Sequence, residues 1–170
     1  MTLFQIIVVG IAALAAGWDV MTRRIPNVLT FGAALGGLIA HAYVGGWTGA
    51  GMSALGCLVV VAAFFPLFAL GGLGAGDIKL LGAIGAWLGP VAAVWVVLFS
   101  GIAGGVIAIF VALFSGYLVR VLTNLWSLLT FWRVMGVRAS PELTLSNDAA
   151  PRLAYAVPVL AGLVLTLWLR

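Results

Sequence analysis

Apolar residues run in long blocks along this chain, and polar residues interrupt the blocks at only a few places. A window of about 19 apolar residues is typical of a membrane-spanning helix. Such windows predict spans at residues 2–18, 28–44, 51–70, 80–88, 91–119 and 153–169. The fourth run is short, because nine to eleven residues at about 1.5 Å each cover only half of a hydrocarbon layer of about 30 Å. The pattern predicts an all-α membrane protein with six transmembrane helices.

A different pattern begins at Tyr117 and ends at Met135. Polar residues recur there every three or four positions among large apolar ones. This spacing predicts an amphipathic helix over residues 117–135 that lies in the membrane interface. The hydrophilic stretch that follows, residues 136–151, is too short to form a domain. We therefore expect residues 1–170 to form a single polytopic membrane domain, with no separate soluble domain.

Composition supports a membrane protein and excludes several other classes. Hydrophobic residues make up 65% of the chain and charged residues only 7%, whereas a soluble domain is about a quarter charged. So few charges cannot cover a surface in water, which excludes a soluble enzyme, a secreted disulfide scaffold and a disordered tail. The single cysteine, Cys57, cannot form an internal disulfide or a cysteine-based zinc cluster.

The basic residues indicate membrane topology rather than nucleic-acid binding. The chain has eight Lys and Arg residues against four Asp and Glu, a net charge of +4. With six crossings, all of them except the terminal Arg170 fall on one side of the membrane, which the positive-inside rule assigns to the cytosol. We expect membrane lipids, and no nucleic acid, among the partners.

Two of the four acidic residues stand out by their position. Glu142 and Asp148 lie in the hydrophilic stretch, but Asp19 ends the first predicted span and Asp77 opens the fourth. Two spans separate them, so both carboxylates are predicted at the cytosolic surface. Ionisable groups at the edge of apolar spans are costly and point to function.

Each carboxylate also has a purely structural explanation. Asp19 stands four residues before Arg23 and could form an i,i+4 ion pair with it. Asp77 follows a glycine-rich stretch, residues 71–76, and could be the N-cap of a helix. Considered together, two neighbouring carboxylates can share one proton, because like charges push their pKa values apart. One then serves as general base and the other as general acid, so that a water molecule is activated for hydrolysis.

The motifs around both acids resemble those of a known family. Residues 74–77, Gly-Ala-Gly-Asp, resemble the GxGD motif of membrane aspartyl peptidases, and residues 19–27 resemble the first-aspartate motif of the type IV prepilin peptidases. The resemblance implies that Asp19 and Asp77 are catalytic and that prepilins lose their basic leader at the cytosolic face. The resemblance also marks motif and supporting residues: Gly74, Gly76, Lys79, Arg23, Arg24, Pro26 and Asn27. The positive-inside rule explains the three basic residues equally well, and helix capping explains Asn27 equally well.

The length of the chain points to the short branch of that family. Larger members carry a four-cysteine zinc segment and also methylate the new N-terminus, whereas this chain has only Cys57, inside an apolar span. We therefore expect no metal, no cofactor and no N-methyltransferase activity, as in the prepilin peptidases of tight-adherence (Flp-type) pilus systems of the bacterial inner membrane. Residues 152–158 are similar to the proline and aromatic motif of the final helix, but Ala154 replaces its usual proline.

Other functions fit parts of the pattern. An intramembrane protease of the presenilin or signal-peptide-peptidase type would place its first aspartate deep within a span, whereas Asp19 lies near an arginine pair. A small proton-coupled transporter would need acids along the path between the two faces, and none lies in mid-span. A non-catalytic assembly factor of a pilus machine is a further alternative.

Overall fold

The computed structural model describes residues 2–116, 118–138 and 154–169. These residues form helices α1 (Leu3–Thr22), α2 (Asn27–Ala69), α3 (Ala75–Phe114), α4 (Leu118–Met135) and α5 (Ala156–Leu169). Helices α1, α2 and α3 are each long and apolar enough to cross a membrane, and α5 is apolar but shorter. The all-helical fold is confirmed, while the count of six membrane crossings stays a prediction.

Helix α2 folds back on itself at Gly46. This residue leaves the helical conformation, with φ 57° and ψ −143°, values that a glycine adopts without steric cost. Ala33 and Ser53 lie 20 positions apart on either side of it, which is about 30 Å in a straight helix. Nevertheless both bond to neighbouring residues of α3: Trp87 Nε1 donates to the Ala33 carbonyl, and Ser53 Oγ donates to the Ala86 carbonyl. Residues 27–45 and 47–69 therefore lie side by side against α3.

Helix α3 reverses in the same way at Gly89, where φ is 75° and Pro90 follows. Tyr155, just before α5, packs against Gly104 in the second half of α3 and interacts electrostatically with Asp77 in the first half. Near its other end, α5 shares a cavity with Leu88. Both halves of α3 therefore run beside α5, with Asp77 and Gly104 at one end of the bundle.

Small residues allow the helices to approach one another closely. A Cβ atom added to Gly56 would collide with the backbone of Gly85, and one added to Gly37 would lie 3.0 Å from the Trp87 ring. Around these contacts α1, α3 and α5 bury large apolar side chains, among them Leu80, Leu81 and Leu163. Close backbone contact of this kind stabilises helix pairs in a membrane, where the hydrophobic effect between helices is absent.

Helix α4 confirms the helix predicted over residues 117–135, apart from Tyr117, which lies outside the described residues. None of its described residues is buried, so its apolar side chains are exposed on the isolated chain. Its place in the membrane interface stays a prediction. Most of the hydrophilic stretch, with Glu142 and Asp148, and the start of the last predicted motif at Arg152 also lie outside the described residues.

Candidate active site at one end of the bundle

Asp19 is the last residue of the buried face of α1. Val8, Ala12, Ala15 and Ala16 precede it on this face, at the three- and four-residue spacing that keeps side chains on one side of a helix. This periodicity turns the carboxylate into the bundle, where only 6% of the residue is exposed. The helix ends three residues later, at Thr22, because Arg23 adopts the left-handed conformation and donates its N–H to the Asp19 carbonyl at 2.8 Å.

The start of α5 supplies a direct partner of Asp19. The backbone N–H of Ala156, the first residue of that helix, donates to Asp19 Oδ2 at 3.2 Å. The first N–H groups of a helix have no partner within it, and the positive end of the helix dipole favours a carboxylate at this place. The contact joins residues 137 positions apart. Sequence reasoning missed it, because a backbone donor leaves no signature in the residue types.

Asp77 is the third residue of α3 and bonds to the residue that opens the helix. Its Oδ2 accepts from the Gly74 N–H at 3.2 Å. The sequence interpretation of Asp77 as an N-cap is wrong in position, because the N-cap is Gly74 and Asp77 reaches back to it from the first turn. A Cβ atom at residue 74 would lie 2.8 Å from Oδ2, so a larger residue there would displace the Asp77 carboxylate.

Gly76 has a different environment from Gly74. A Cβ atom at residue 76 would meet the Ile25 side chain at 3.4 Å, an ordinary van der Waals distance. Gly76 therefore packs against the connection between α1 and α2. A lack of space for a side chain therefore does not explain why the GxGD motif has glycine at residue 76.

The two carboxylates lie close enough to repel each other electrostatically. Tyr155 lies close enough to Asp77 to interact with its charge, and its ring forms an edge contact with Phe64, with 6.4 Å between ring centroids. Its phenolic hydroxyl group is a potential hydrogen-bond donor close to the carboxylates.

Two of the supporting residues predicted from sequence contact each other. Lys79 Nζ donates to Asn27 Oδ1 at 3.0 Å and lies 5.0 Å from the centroid of the Phe31 ring. The N-cap of α2 is Pro26, which provides no side-chain cap. The prediction that Asn27 caps this helix is therefore wrong, since its side chain binds Lys79 instead. Arg24 is exposed on the connection to α2.

The opposite end of the bundle holds the histidine. His41 Nε2 lies 2.9 Å from the Trp87 carbonyl oxygen, and the His41 ring packs against Phe4 with 5.0 Å between centroids. Among the described residues, no three His, Cys, Asp or Glu side chains lie together as metal ligands would. Among the same described residues, the acidic side chains that lie near each other are those of Asp19 and Asp77.

This arrangement can activate water. Two neighbouring carboxylates, each held by a backbone N–H, can divide the roles of general base and general acid. The surrounding apolar helices restrict solvent around Asp19, whereas Asp77 is only partly buried. Peptide hydrolysis by such a pair needs neither a metal ion nor a covalent intermediate.

Comparisons with known proteins place the chain in a family. A family model described as the type IV leader peptidase family matches residues 6–109, which is more than half of the chain and includes both carboxylates. No curated protein and no solved structure matches. The resemblance inferred from the two aspartate motifs is thereby confirmed. The chain belongs to the type IV leader peptidase family.

Proposed function

We propose that this protein is an aspartic endopeptidase that removes the basic leader of type IV prepilins at the cytosolic face of the bacterial inner membrane. The observation that carries the proposal is the convergence of Asp19 and Asp77 at one end of an apolar helical bundle. Membership of the leader peptidase family supports a peptidase acting on a prepilin-type substrate. The aspartic mechanism and the roles of the two residues are inferred from their geometry.

The reaction follows from the shared proton of the pair. The ionised carboxylate takes a proton from a water molecule, whose oxygen attacks the scissile carbonyl, and the protonated partner donates its proton to the departing amine. The N–H groups of Ala156 and Gly74 hold the two carboxylates in place. The hydrophobic helix of the substrate would lie among the apolar helices, with its basic leader in the cytosol.

The cytosolic orientation rests on the charges near the site. Arg23 and Arg24 follow Asp19, and Lys79 follows Asp77, so three cations lie close to the carboxylates along the chain. The positive-inside rule assigns such an end to the cytosol. Alkaline phosphatase inserted within residues 136–151 is accordingly expected to be inactive, because it needs the periplasm. An active fusion would reverse the orientation.

The absence of methyltransferase activity is proposed from the cysteine content. The chain has one cysteine, and Cys57 is half-buried in α2, so no four-cysteine zinc segment is present in the sequence. We therefore place the protein with the short peptidases of tight-adherence pilus systems. Mass spectrometry of the mature pilin is expected to find an unmethylated N-terminal amine. A methyl group added by this chain would contradict this part of the proposal.

The catalytic proposal is tested by coexpression with an Flp-type prepilin, with leader removal followed by mobility shift. Asp19→Asn and Asp77→Asn keep the size of each side chain, and each is expected to abolish processing. Asp148→Asn is the matched control, because it makes the same change in the hydrophilic stretch, and it is expected to process normally. Processing by both active-site variants would refute the pair. Ion or solute flux without processing would favour a transporter.

A further inference from the structure

An apolar groove opens on the outer side of α2, between the two halves of this helix. It has a volume of about 470 Å³. Several of its side chains are largely exposed, such as Phe31 at 58% and Leu58 at 62%. The groove is lined by Phe31, Ala34, Leu35, Leu38, Ser53, Ala54, Cys57, Leu58 and Ala86. In a bilayer this face of the bundle would contact acyl chains.

The groove forms because the inner sides of both halves of α2 pack closely against α3. Gly37 packs under the Trp87 ring, and Gly56 meets the backbone of Gly85. The hydroxyl group of Ser53, at the floor of the groove, already donates to the Ala86 carbonyl at 2.8 Å. The floor therefore offers no unused hydroxyl donor to a polar ligand, and an unbranched apolar chain fits its chemistry.

A cation lies beside the groove. The Lys79 ammonium group sits 5.0 Å from the centroid of Phe31, which lines the groove, and is held by Asn27 at 3.0 Å. Gly82, one turn after Lys79 on α3, lies against Cys57 of the groove. An ammonium group has three N–H donors, and the bond to Asn27 uses one. Lysine in this position is a suitable point-charge partner for a phosphate.

We propose that this groove binds one acyl chain of an anionic phospholipid, with the phosphate headgroup at Lys79. Complementary charge favours this occupant, because the Lys79 ammonium group beside the groove attracts an anionic phosphate, whereas an uncharged apolar helix offers it no partner. The lipid proposal itself does not depend on catalysis, because neither Asp19 nor Asp77 lines the groove.

The proposal is tested in nanodiscs of mixed phosphatidylglycerol and phosphatidylcholine. A diazirine in the acyl chain of either lipid is photoactivated, and cross-linked peptides are identified by mass spectrometry. Cross-links from phosphatidylglycerol are expected at groove residues such as Leu35 and Leu58, in excess over those from phosphatidylcholine. Lys79→Gln is expected to lower this excess about fivefold, the effect of one basic residue near an anionic lipid. Arg133→Gln, which removes one exposed charge from α4, is the matched control and should leave the excess unchanged.

A second variant separates the chain-binding part from the headgroup part. Ala54→Phe fills the groove and is expected to lower cross-linking from both lipids equally. An undiminished preference for phosphatidylglycerol in Lys79→Gln would overturn the headgroup assignment. Cross-links distributed evenly over the outer faces of α2 and α3, or a groove occupied by added prepilin in preference to lipid, would overturn the lipid site. Each of these outcomes is independent of whether the protein cleaves prepilin.

Discussion

The bond from α5 to Asp19 gives a prediction about a residue outside the family match. Ala156 donates its backbone N–H to Asp19 Oδ2 at 3.2 Å, and its side chain is fully buried. Proline has no N–H but is well tolerated at the first position of a helix, where the chain already has a compatible conformation. Ala156→Pro therefore removes this one donor and leaves the rest of α5 in place.

The magnitude follows from the charge and burial of the acceptor. A hydrogen bond to a charged group contributes about 1.5–3 kcal/mol, and Asp19 is only 6% exposed, so water cannot readily replace the lost donor. The proline ring also puts a carbon atom where the hydrogen was, which pushes the carboxylate away. We expect kcat/KM for leader cleavage to fall about 10- to 150-fold, since about 1.4 kcal/mol corresponds to a factor of ten.

The assay is cleavage of purified prepilin in detergent or nanodiscs, with cleaved and uncleaved pilin separated by electrophoresis. Ala156→Gly is the matched control, because glycine keeps the N–H although it costs about 1 kcal/mol of helix stability. Thermal unfolding of both variants checks that the bundle remains folded. Activity of Ala156→Pro within twofold of the glycine variant would show that leader cleavage does not depend on the bond from α5 to Asp19, and would refute the reasoning.

Two further predictions concern glycines whose neighbours are known. Gly74→Ala places a methyl group about 2.8 Å from Asp77 Oδ2, so cleavage is expected to fall by about tenfold with the free energy of unfolding unchanged. Gly72→Ala is the control, because its methyl group meets only ordinary contacts, and it should retain activity. Equal activities of the two variants would contradict the steric argument. Gly56→Ala drives a methyl group into the facing backbone of α3 and is expected to lower the free energy of unfolding by about 1–3 kcal/mol in detergent. Gly51→Ala, which has open space around it, should change it little, and similar unfolding of both variants would argue against close packing at this contact.

The sequence predicts that the two aspartates lie near each other, because this prediction depends only on counting apolar runs. Asp19 and Asp77 sit at the ends of such runs, and the even number of crossings predicted between them would return the chain to the same face of a membrane. The same counting anticipated chain reversals between apolar runs, and the structure has them at Gly46 and Gly89. Periodicity also accounts for the inward direction of Asp19, through the buried face of α1.

The partners of the aspartates could not be predicted from local sequence. The bond from Ala156 to Asp19 spans 137 positions, and the bond from Lys79 to Asn27 spans 52. Both depend on how the helices pack, and backbone donors are common to every residue type except proline. Helix-capping rules placed Asn27 as a cap, but Lys79 competes for its side chain after folding. Tertiary contacts thus decide which of several local roles a polar residue adopts.

The convergence of Asp19 and Asp77 is tested most directly by chemical cross-linking. In a Cys57→Ala background, Asp19→Cys is combined with Asp77→Cys and treated with a short bifunctional thiol reagent in native membranes. The control pair combines Asp19→Cys with Leu88→Cys, about 16 Å further along the same half of α3. We predict rapid cross-linking of positions 19 and 77 and little of positions 19 and 88. Failure of the first pair to cross-link, or equal rates for both, would contradict a catalytic pair at one end of the bundle.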